Sequence, residues 1–220
     1  DEYTMGNGKS IEVGIRDGEV RVRDYGRGIP LGKVIDCVSK INTGGKYDSR
    51  AFKKTVGLNG VGTKAVNALS SMFKVESYRA GKCKSATFSI GEVVEDRDQE
   101  TTTGRNGTKI TFRPDEGVFK GYKYRMEHVQ KLLWNYVYLN TGLSVYLNGD
   151  KYKSDNGLLD LLESSMDGNP RYPIIHIKAN DIELSVTHSE TYGEDIQSFV
   201  NGQYTPQGGT HQAAFREAYV

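Results

Sequence analysis

Apolar and polar residues alternate along several short segments of this chain, a pattern typical of half-buried β-strands. Ile11, Val13 and Ile15 alternate with polar residues, and the alternation resumes at Val20 and Val22 after an Asp-Gly turn signal. The same pattern predicts further strands at residues 73–78, 84–90, 108–112 and 143–147, and near 173–178, 182–188 and 196–201. We therefore expect an extensive β-sheet.

Helical spacing of apolar residues separates these strands. The clearest predicted helix covers residues 124–139, and its expected core face consists of Met126, Val129, Leu132, Leu133, Tyr136 and Val137. Shorter helices are predicted at 34–38, from 62 to about 71, at 158–162 and after 211. We interpret the polar stretches 42–56 and 92–106 as loops. Helices and strands mix without strict βαβ alternation, which predicts an α+β fold, a two-layer α/β sandwich.

Composition narrows the function classes. The chain has 220 residues with 29 basic and 28 acidic side chains, so its bulk charge gives no indication of nucleic-acid binding. It has no run of about 18 apolar residues that could span a membrane. Two cysteines and four scattered histidines form neither a disulfide framework nor a pattern of metal ligands, which suits the cytoplasm. Residues 167–170 (DGNP) are the strongest linker signal and predict two domains, 1–165 and 166–220.

A glycine-rich stretch precedes one predicted helix. Gly57, Gly60 and Gly62 fall within six positions, directly before the helical run. A helix N-terminus presents unpaired N–H groups and partial positive charge, and glycines let the backbone approach an anion closely. Taken alone, the stretch is more typical of an ordinary loop than of a phosphate-binding loop.

A second candidate element follows the second strand. Asp24 stands at the strand end, where its carboxylate can accept a hydrogen bond from an exocyclic amine, and Gly26 and Gly28 let a flat ring lie against the backbone. Residues 44–46 (GGK) can cover an anionic tail, and Thr108 can add a hydroxyl near the same amine. The chain contains neither a P-loop motif nor a Rossmann fingerprint in a βαβ unit.

These elements, in this order, resemble the ATPase subunit of bacterial type II DNA topoisomerases, the GyrB/ParE family, within the GHKL group that also contains Hsp90, MutL and sensor histidine kinases. The matching segments are 24–30 (DYGRGIP), 43–48 (TGGKYD), 57–62 (GLNGVG) and 107–108 (GT), followed by 200–202 (VNG) and 208–211 (GGTH). The resemblance covers nearly the whole chain and implies a GHKL ATP-binding domain followed by the start of an S5-like transducer domain.

The resemblance also implies roles for individual residues. Asp24, supported by Thr108, is expected to hydrogen-bond the adenine amine, and Arg27, paired with Glu2, is expected on the pocket rim with Arg79. The implied nucleotide-binding residues are Asp24, Gly26, Arg27, Gly28, Ile29 and Pro30 around the base, Gly45 and Lys46 at the lid, Leu58, Asn59, Gly60, Val61 and Gly62 around the triphosphate, and Arg79 and Thr108.

The family's chemistry implies further components. The expected cofactors are ATP and Mg²⁺, and the expected ligands include adenine-site inhibitors used as antibiotics. The expected partners are DNA, a topoisomerase A subunit (GyrA or ParC) and a second copy of the ATPase subunit, whose dimerisation would close a gate for DNA strand passage. A cytoplasmic location is expected.

The sequence departs from the family pattern at its ends. The family's general-base Glu and Mg²⁺-binding Asn would precede Asp1, and its transducer Lys would follow Val220. We therefore expect these 220 residues to bind adenine-site ligands as a monomer and to hydrolyse ATP little. The alternatives are an Hsp90- or MutL-like ATPase and a nucleotide-binding module without catalysis, and the sequence leaves gyrase and topoisomerase IV open.

Overall fold

The computed structural model describes residues 2–41, 43 and 60–219. The strands are β1 Ser10–Arg16, β2 Glu19–Asp24, β3 Ser70–Arg79, β4 Lys82–Ser89, β5 Glu92–Asp96, β6 Glu100–Thr101, β7 Gly107–Pro114, β8 Ser144–Leu147, β9 Asp150–Tyr152, β10 Ile175–Lys178, β11 Glu183–Val186, β12 Phe199–Val200 and β13 Gln203–Tyr204. The helices are α1 Val34–Ser39, α2 Gly62–Ala68, α3 Met126–Leu139, α4 Leu158–Ser165 and α5 Thr210–Tyr219, and a 3₁₀ turn, Leu31–Lys33, precedes α1.

One large sheet organises the first nine strands. Its order is β5-β4-β3-β7-β2-β1-β8-β9, and β6 also pairs with β4. Neighbouring strands are antiparallel except β1 and β8, which are parallel. The predicted turn between β1 and β2 is present, and both Asp17 and Gly18 have the positive φ of a type I′ hairpin.

The helices α1 and α3 cover the same face of this sheet. Near β3 and β4, the directly paired Phe73 and Phe88 meet edge to face at 6.0 Å and pack with Val34 and Val38 of α1. At the other end, Val137 of α3 packs in a cluster whose members include Val145, Leu147, Ile11 and Val13. The registers of β1, β2, β7 and β3 place both clusters on one side, which confirms the α+β two-layer prediction.

Three expectations about elements were wrong. Residues 92–106 contain β5 and β6; every residue of β5 is exposed, so this edge strand shows no apolar alternation to reveal it. Helix α2 ends at Ala68 because Ser70 already pairs in β3. Leu132 and Tyr136 of α3 are exposed, since the residues of α3 that pack in the cluster against the sheet are 126, 129, 133 and 137.

The C-terminal part forms two small hairpins and a helix. β10 pairs with β11, β12 pairs with β13, and α5 follows at Thr210–Tyr219. The β10–β11 hairpin contacts α4 through Glu183, whose Oε1 accepts a hydrogen bond from the backbone N–H of Leu158 at 3.4 Å. Among the described residues, no helix has the length and apolar character needed to cross a membrane.

Candidate functional site

The C-terminal end of β2 is shaped by Asp24. Its Oδ1 accepts a hydrogen bond from the backbone N–H of Gly26 at 2.8 Å. This local turn is one that aspartate side chains commonly stabilise. The turn ends the strand and fixes the aspartate side chain at the edge of the loop that follows.

The loop after Asp24 is fastened to the end of β3. The Ser77 hydroxyl donates to the carbonyl of Ile29 at 2.7 Å, and Nη1 of Arg79 donates to the carbonyl of Gly28 at 2.9 Å. Gly28 has φ +77°, and a Cβ there would lie 2.5 Å from the carbonyl oxygen of Tyr78. Only glycine accepts both this conformation and this approach.

Thr108 lies level with Asp24 across the sheet. Arg23 pairs with Lys109, which brings the next positions, Asp24 and Thr108, side by side on neighbouring strands. Gly107, at φ +136°, packs so tightly that a Cβ would clash with the carbonyl of Asp24. The structure thus brings Asp24, Gly28 and Thr108 to one end of three adjacent strands.

Ser77 was not among the predicted site residues. It pairs directly with Thr108, is fully buried, and takes the inward position that follows Phe73 and Val75 along β3. A serine at a position where the alternation calls for an apolar residue was the available signal. The role of Ser77 depends on which residue of the neighbouring strand it pairs with, and the local sequence pattern does not reveal that register.

The predicted contact between Arg27 and Glu2 is present. Nη2 of Arg27 lies 2.9 Å from Oε1 of Glu2, and its backbone N–H donates to Oε2 at 2.9 Å. The hydrogen bonds from Arg27 lower the pKa of Glu2, and the carboxylate raises the pKa of Arg27. Because both side chains are partly exposed, such a pair contributes little to stability.

The remaining predicted residues are spread more widely. The carbonyl of Pro30 accepts a hydrogen bond from Lys33 and begins the 3₁₀ turn. Gly60 has φ +56°, Val61 is the N-cap of α2 without a side-chain cap, and Gly62 is its first helical residue. The lid and phosphate residues Gly45, Lys46, Leu58 and Asn59 lie outside the described residues.

Helix α2 is tied to α1 by a buried amide. Asn67 is 1% exposed, and its Nδ2 donates to the carbonyl of Val38 at 3.0 Å. This contact sets α2, and with it Gly60, Val61 and Gly62, beside α1 on the helical face of the sheet.

A cavity of about 220 Å³ borders Asp24 and Gly26. Its other walls include Glu2 and Tyr3, and Tyr136 of α3 contributes to it as well. Tyr136 was predicted as a core residue, so its place on a cavity wall was missed. A second cavity, of about 410 Å³, is lined by Leu31 and its neighbours and by none of the predicted residues that the structure describes.

The chemistry of the Asp24 end suits a flat ring that bears an amine. Within the described part of the chain, no donor contacts the second carboxylate oxygen of Asp24, so this oxygen can accept from a ligand. The residues described include no group of three or more His, Cys, Asp or Glu side chains that could hold a metal ion.

Comparison with known sequences links the chain to type II topoisomerases. A sequence model of the DNA gyrase B family matches residues 146–220. Across its whole length the chain is 46% identical to the B subunit of DNA topoisomerase 4 from Borreliella burgdorferi and 31% identical to the B subunit of DNA gyrase from Thermus thermophilus. It spans only 37% and 38% of the lengths of these two proteins.

Solved structures agree with the sequence comparison. The 43K ATPase domain of Thermus thermophilus gyrase B, determined with an aminocoumarin, matches with a TM-score of 0.75 at 28% identity, over all of this chain and 62% of that one. The topoisomerase IV ATP-binding domain of Francisella tularensis, determined with a small-molecule inhibitor, matches with a TM-score of 0.73 at 26% identity, over 98% of this chain and 62% of that one.

Proposed function

The chain belongs to the family formed by the B subunits of DNA gyrase and topoisomerase IV, and we propose that it binds ATP for such an enzyme. Binding takes place at the Asp24 end of the sheet. Asp24 accepts a hydrogen bond from the exocyclic amine of adenine, and the Thr108 hydroxyl supports this contact. The base lies against a surface formed by Gly26, Gly28, Ile29 and Pro30. Arg27 and Arg79 stand at the rim.

One observation carries this proposal. The Ser77 and Arg79 side chains donate hydrogen bonds to two consecutive carbonyls of the loop after Asp24. Gly28 and Gly107 have no side chains, so the loop and the strands can approach each other closely. A loop fixed in this way gives a flat ring a preformed surface beside a carboxylate oxygen that can accept from it. Preformed sites bind more tightly because less motion is lost on binding.

The triphosphate is assigned to the glycine-rich segment. Gly60, Val61 and Gly62 begin α2, and we propose that Leu58 and Asn59 complete the phosphate loop, with Gly45 and Lys46 closing over the nucleotide. Mg²⁺ would neutralise part of the phosphate charge when bound. We assign it no ligand among the residues of this chain.

The wider assembly follows from the family. We propose a nucleotide-binding domain over residues 1–165 and the first part of a transducer domain over 166–220. In the intact protein, which would be cytoplasmic, ATP closes two copies into a gate, and a topoisomerase A subunit of the GyrA/ParC type and DNA complete the enzyme. Adenine-site inhibitors such as aminocoumarins would compete with ATP at this site.

The decisive functional experiment uses the intact protein that contains this chain, mixed with its A subunit and, in parallel reactions, with supercoiled and with relaxed plasmid. We expect a change in plasmid linking number that requires ATP and is blocked by an aminocoumarin. Hydrolysis of ATP with no change in linking number would contradict the topoisomerase proposal and favour a chaperone- or MutL-like ATPase. The readout is gel electrophoresis of topoisomers.

A further inference from the structure

Behind Asp24, on the face of the sheet opposite α1 and α3, lies a cluster that the proposed nucleotide site does not use. It consists of Arg23, Tyr25, Tyr78 and Arg105, which we call the back cluster. The guanidinium of Arg23 lies 4.3 Å from the ring centre of Tyr78 and 5.1 Å from that of Tyr25. The guanidinium of Arg105 lies 4.5 Å from the ring centre of Tyr25.

The back cluster is anchored by hydrogen bonds to three parts of the fold. Nη2 of Arg23 donates to the carbonyl of Arg105 at 2.5 Å, and the Tyr25 hydroxyl donates to Glu12 at 2.7 Å. The Tyr78 hydroxyl donates to Glu76 at 3.3 Å, and burial, with the nearby Glu76 charge, raises the pKa of Tyr78 to about 12. Both neighbours of Asp24 in the sequence are therefore fixed on the back of the sheet.

The back cluster also contacts the loop after Asp24, which forms part of the proposed nucleotide site. The carbonyl oxygen of Tyr78 lies 2.5 Å from the position that a Cβ of Gly28 would take. Tyr78 also pairs with Gly107 in the ladder between β3 and β7. Arg23 thus holds a ring whose own backbone supports the Gly28 loop. Cation–π contacts of a partly buried arginine commonly contribute enough to fix such an arrangement.

We propose that Arg23 is a positioning residue that sets the selectivity of this site for adenine, an inference that rests on the proposed ATP binding. Arg23 does not reach the ligand. By clamping the end of β2 from behind, it holds Asp24 at the position where its second carboxylate oxygen meets the exocyclic amine. Without this support from Arg23, the hydrogen bond from the exocyclic amine to Asp24 would have poorer geometry. The contacts of the protein with the ribose and the phosphates of the nucleotide would persist.

The experiment compares dissociation constants for ATP and inosine triphosphate, which differ at the amine that Asp24 is proposed to bind. We expect wild-type protein to prefer ATP. Arg23→Gln should lower that preference about 3- to 10-fold, mainly because ATP binds more weakly. This is the change expected when one hydrogen bond becomes poorly aligned. Arg21→Gln is the matched control: Arg21 is on the same strand and face, pairs with the neighbouring Glu19 at 3.4 Å, and should leave the preference unchanged.

A purely structural role for Arg23 predicts a different result, namely equal weakening of both nucleotides. That result, or an equal change in Arg21→Gln, would overturn the inference. If Arg23→Gln does not fold, the same measurement is made on Arg105→Gln, because Arg105 precedes β7 and its guanidinium packs on the Tyr25 ring of the back cluster. An unchanged preference for ATP in Arg105→Gln would also overturn the inference. Wild-type protein that binds both nucleotides equally, or neither, would instead contradict the proposed function.

Discussion

At the residue scale, the site depends on two glycines that let three strands meet. Gly28 and Gly107 both have positive φ, and each lies against backbone atoms of a neighbouring strand. The side chains of Ser77 and Arg79 then hold the loop by its carbonyls. These contacts place a carboxylate, a hydroxyl and a bare backbone surface within one small region.

Gly28→Ala tests this close approach. Alanine at φ +77° costs about 1–2 kcal/mol in backbone strain, and its Cβ would also collide with the Tyr78 carbonyl. We expect a larger loss of stability than strain alone gives, together with at least about 10-fold weaker ATP binding, since the displaced loop no longer supports the base. Urea unfolding and ATP titration measure the two effects.

Gly18→Ala provides the control for that variant. Gly18 has nearly the same φ, +78°, but nothing lies within 4 Å of an added Cβ. It should show the strain alone and keep its ATP affinity. Equal losses of stability in both variants, with ATP binding retained in both, would contradict the role given to Gly28.

The sequence predicted the local turn of this site, and the family resemblance added Arg79 and Thr108 from distant strands, but other non-local contacts were missed. Asp24, Gly26 and Gly28 were identified because turn chemistry is written in neighbouring residues. Ser77 and the back cluster were missed because each depends on register between strands that are far apart in sequence. The assignment of roles at Asp24, Arg79 and Thr108 remains a prediction that binding experiments must test.

At the element scale, Glu183 joins the small β10–β11 hairpin to helix α4. Its Oε1 lies 3.1 Å from Nε2 of His176 and accepts from the N–H of Leu158 at the start of α4, while Lys178 approaches Oε2 at 3.1 Å. A carboxylate at a helix N-terminus is favourable. Although partial burial opposes ionisation, the bonds from Lys178, His176 and Leu158 lower the pKa of Glu183.

Glu183→Gln should therefore destabilise the chain in a pH-dependent way. A lowered pKa in the folded state means that the ionised form stabilises the fold above the usual value of 4.5, and that this contribution disappears as pH falls through the lowered pKa. Because Glu183 is only partly buried, we expect a loss below about 1 kcal/mol. Urea unfolding at neutral pH should resolve the difference between variant and wild type, and the difference should vanish in acid. A difference that is constant over the whole pH range would contradict this account.

Periodicity located most elements, and its failures have physical causes. Strands β1, β2 and β7 were found because one face of each meets the core. The edge strand β5 was missed since both its faces are exposed. Helix α3 was found, but its core face was drawn too wide at Leu132 and Tyr136, because apolar residues also occupy positions beside the contacting stripe.

At the scale of the whole molecule, the large sheet and helix α4 link the proposed nucleotide site with the β10–β11 hairpin. Asp24 ends β2, next to β1, and β1 pairs with β8, which leads through β9 to α4 and Glu183. The Asp24 end and the β10–β11 hairpin therefore belong to one continuous series of packed elements. The chain spans about 37% of its Borreliella relative, so the strand-passage activity of the intact protein stays a proposal.

The central claim is that Asp24 binds the adenine of ATP, and a calorimetric titration of ATP into wild-type and Asp24→Asn protein tests it most directly. The asparagine oxygen can still accept the N–H of Gly26, so the loop is retained while the ligand-facing oxygen is replaced by a donor. We predict about 10- to 100-fold weaker ATP binding with an unchanged melting temperature, as expected for a lost charge-assisted hydrogen bond. ATP affinity within about twofold of wild type would contradict the account.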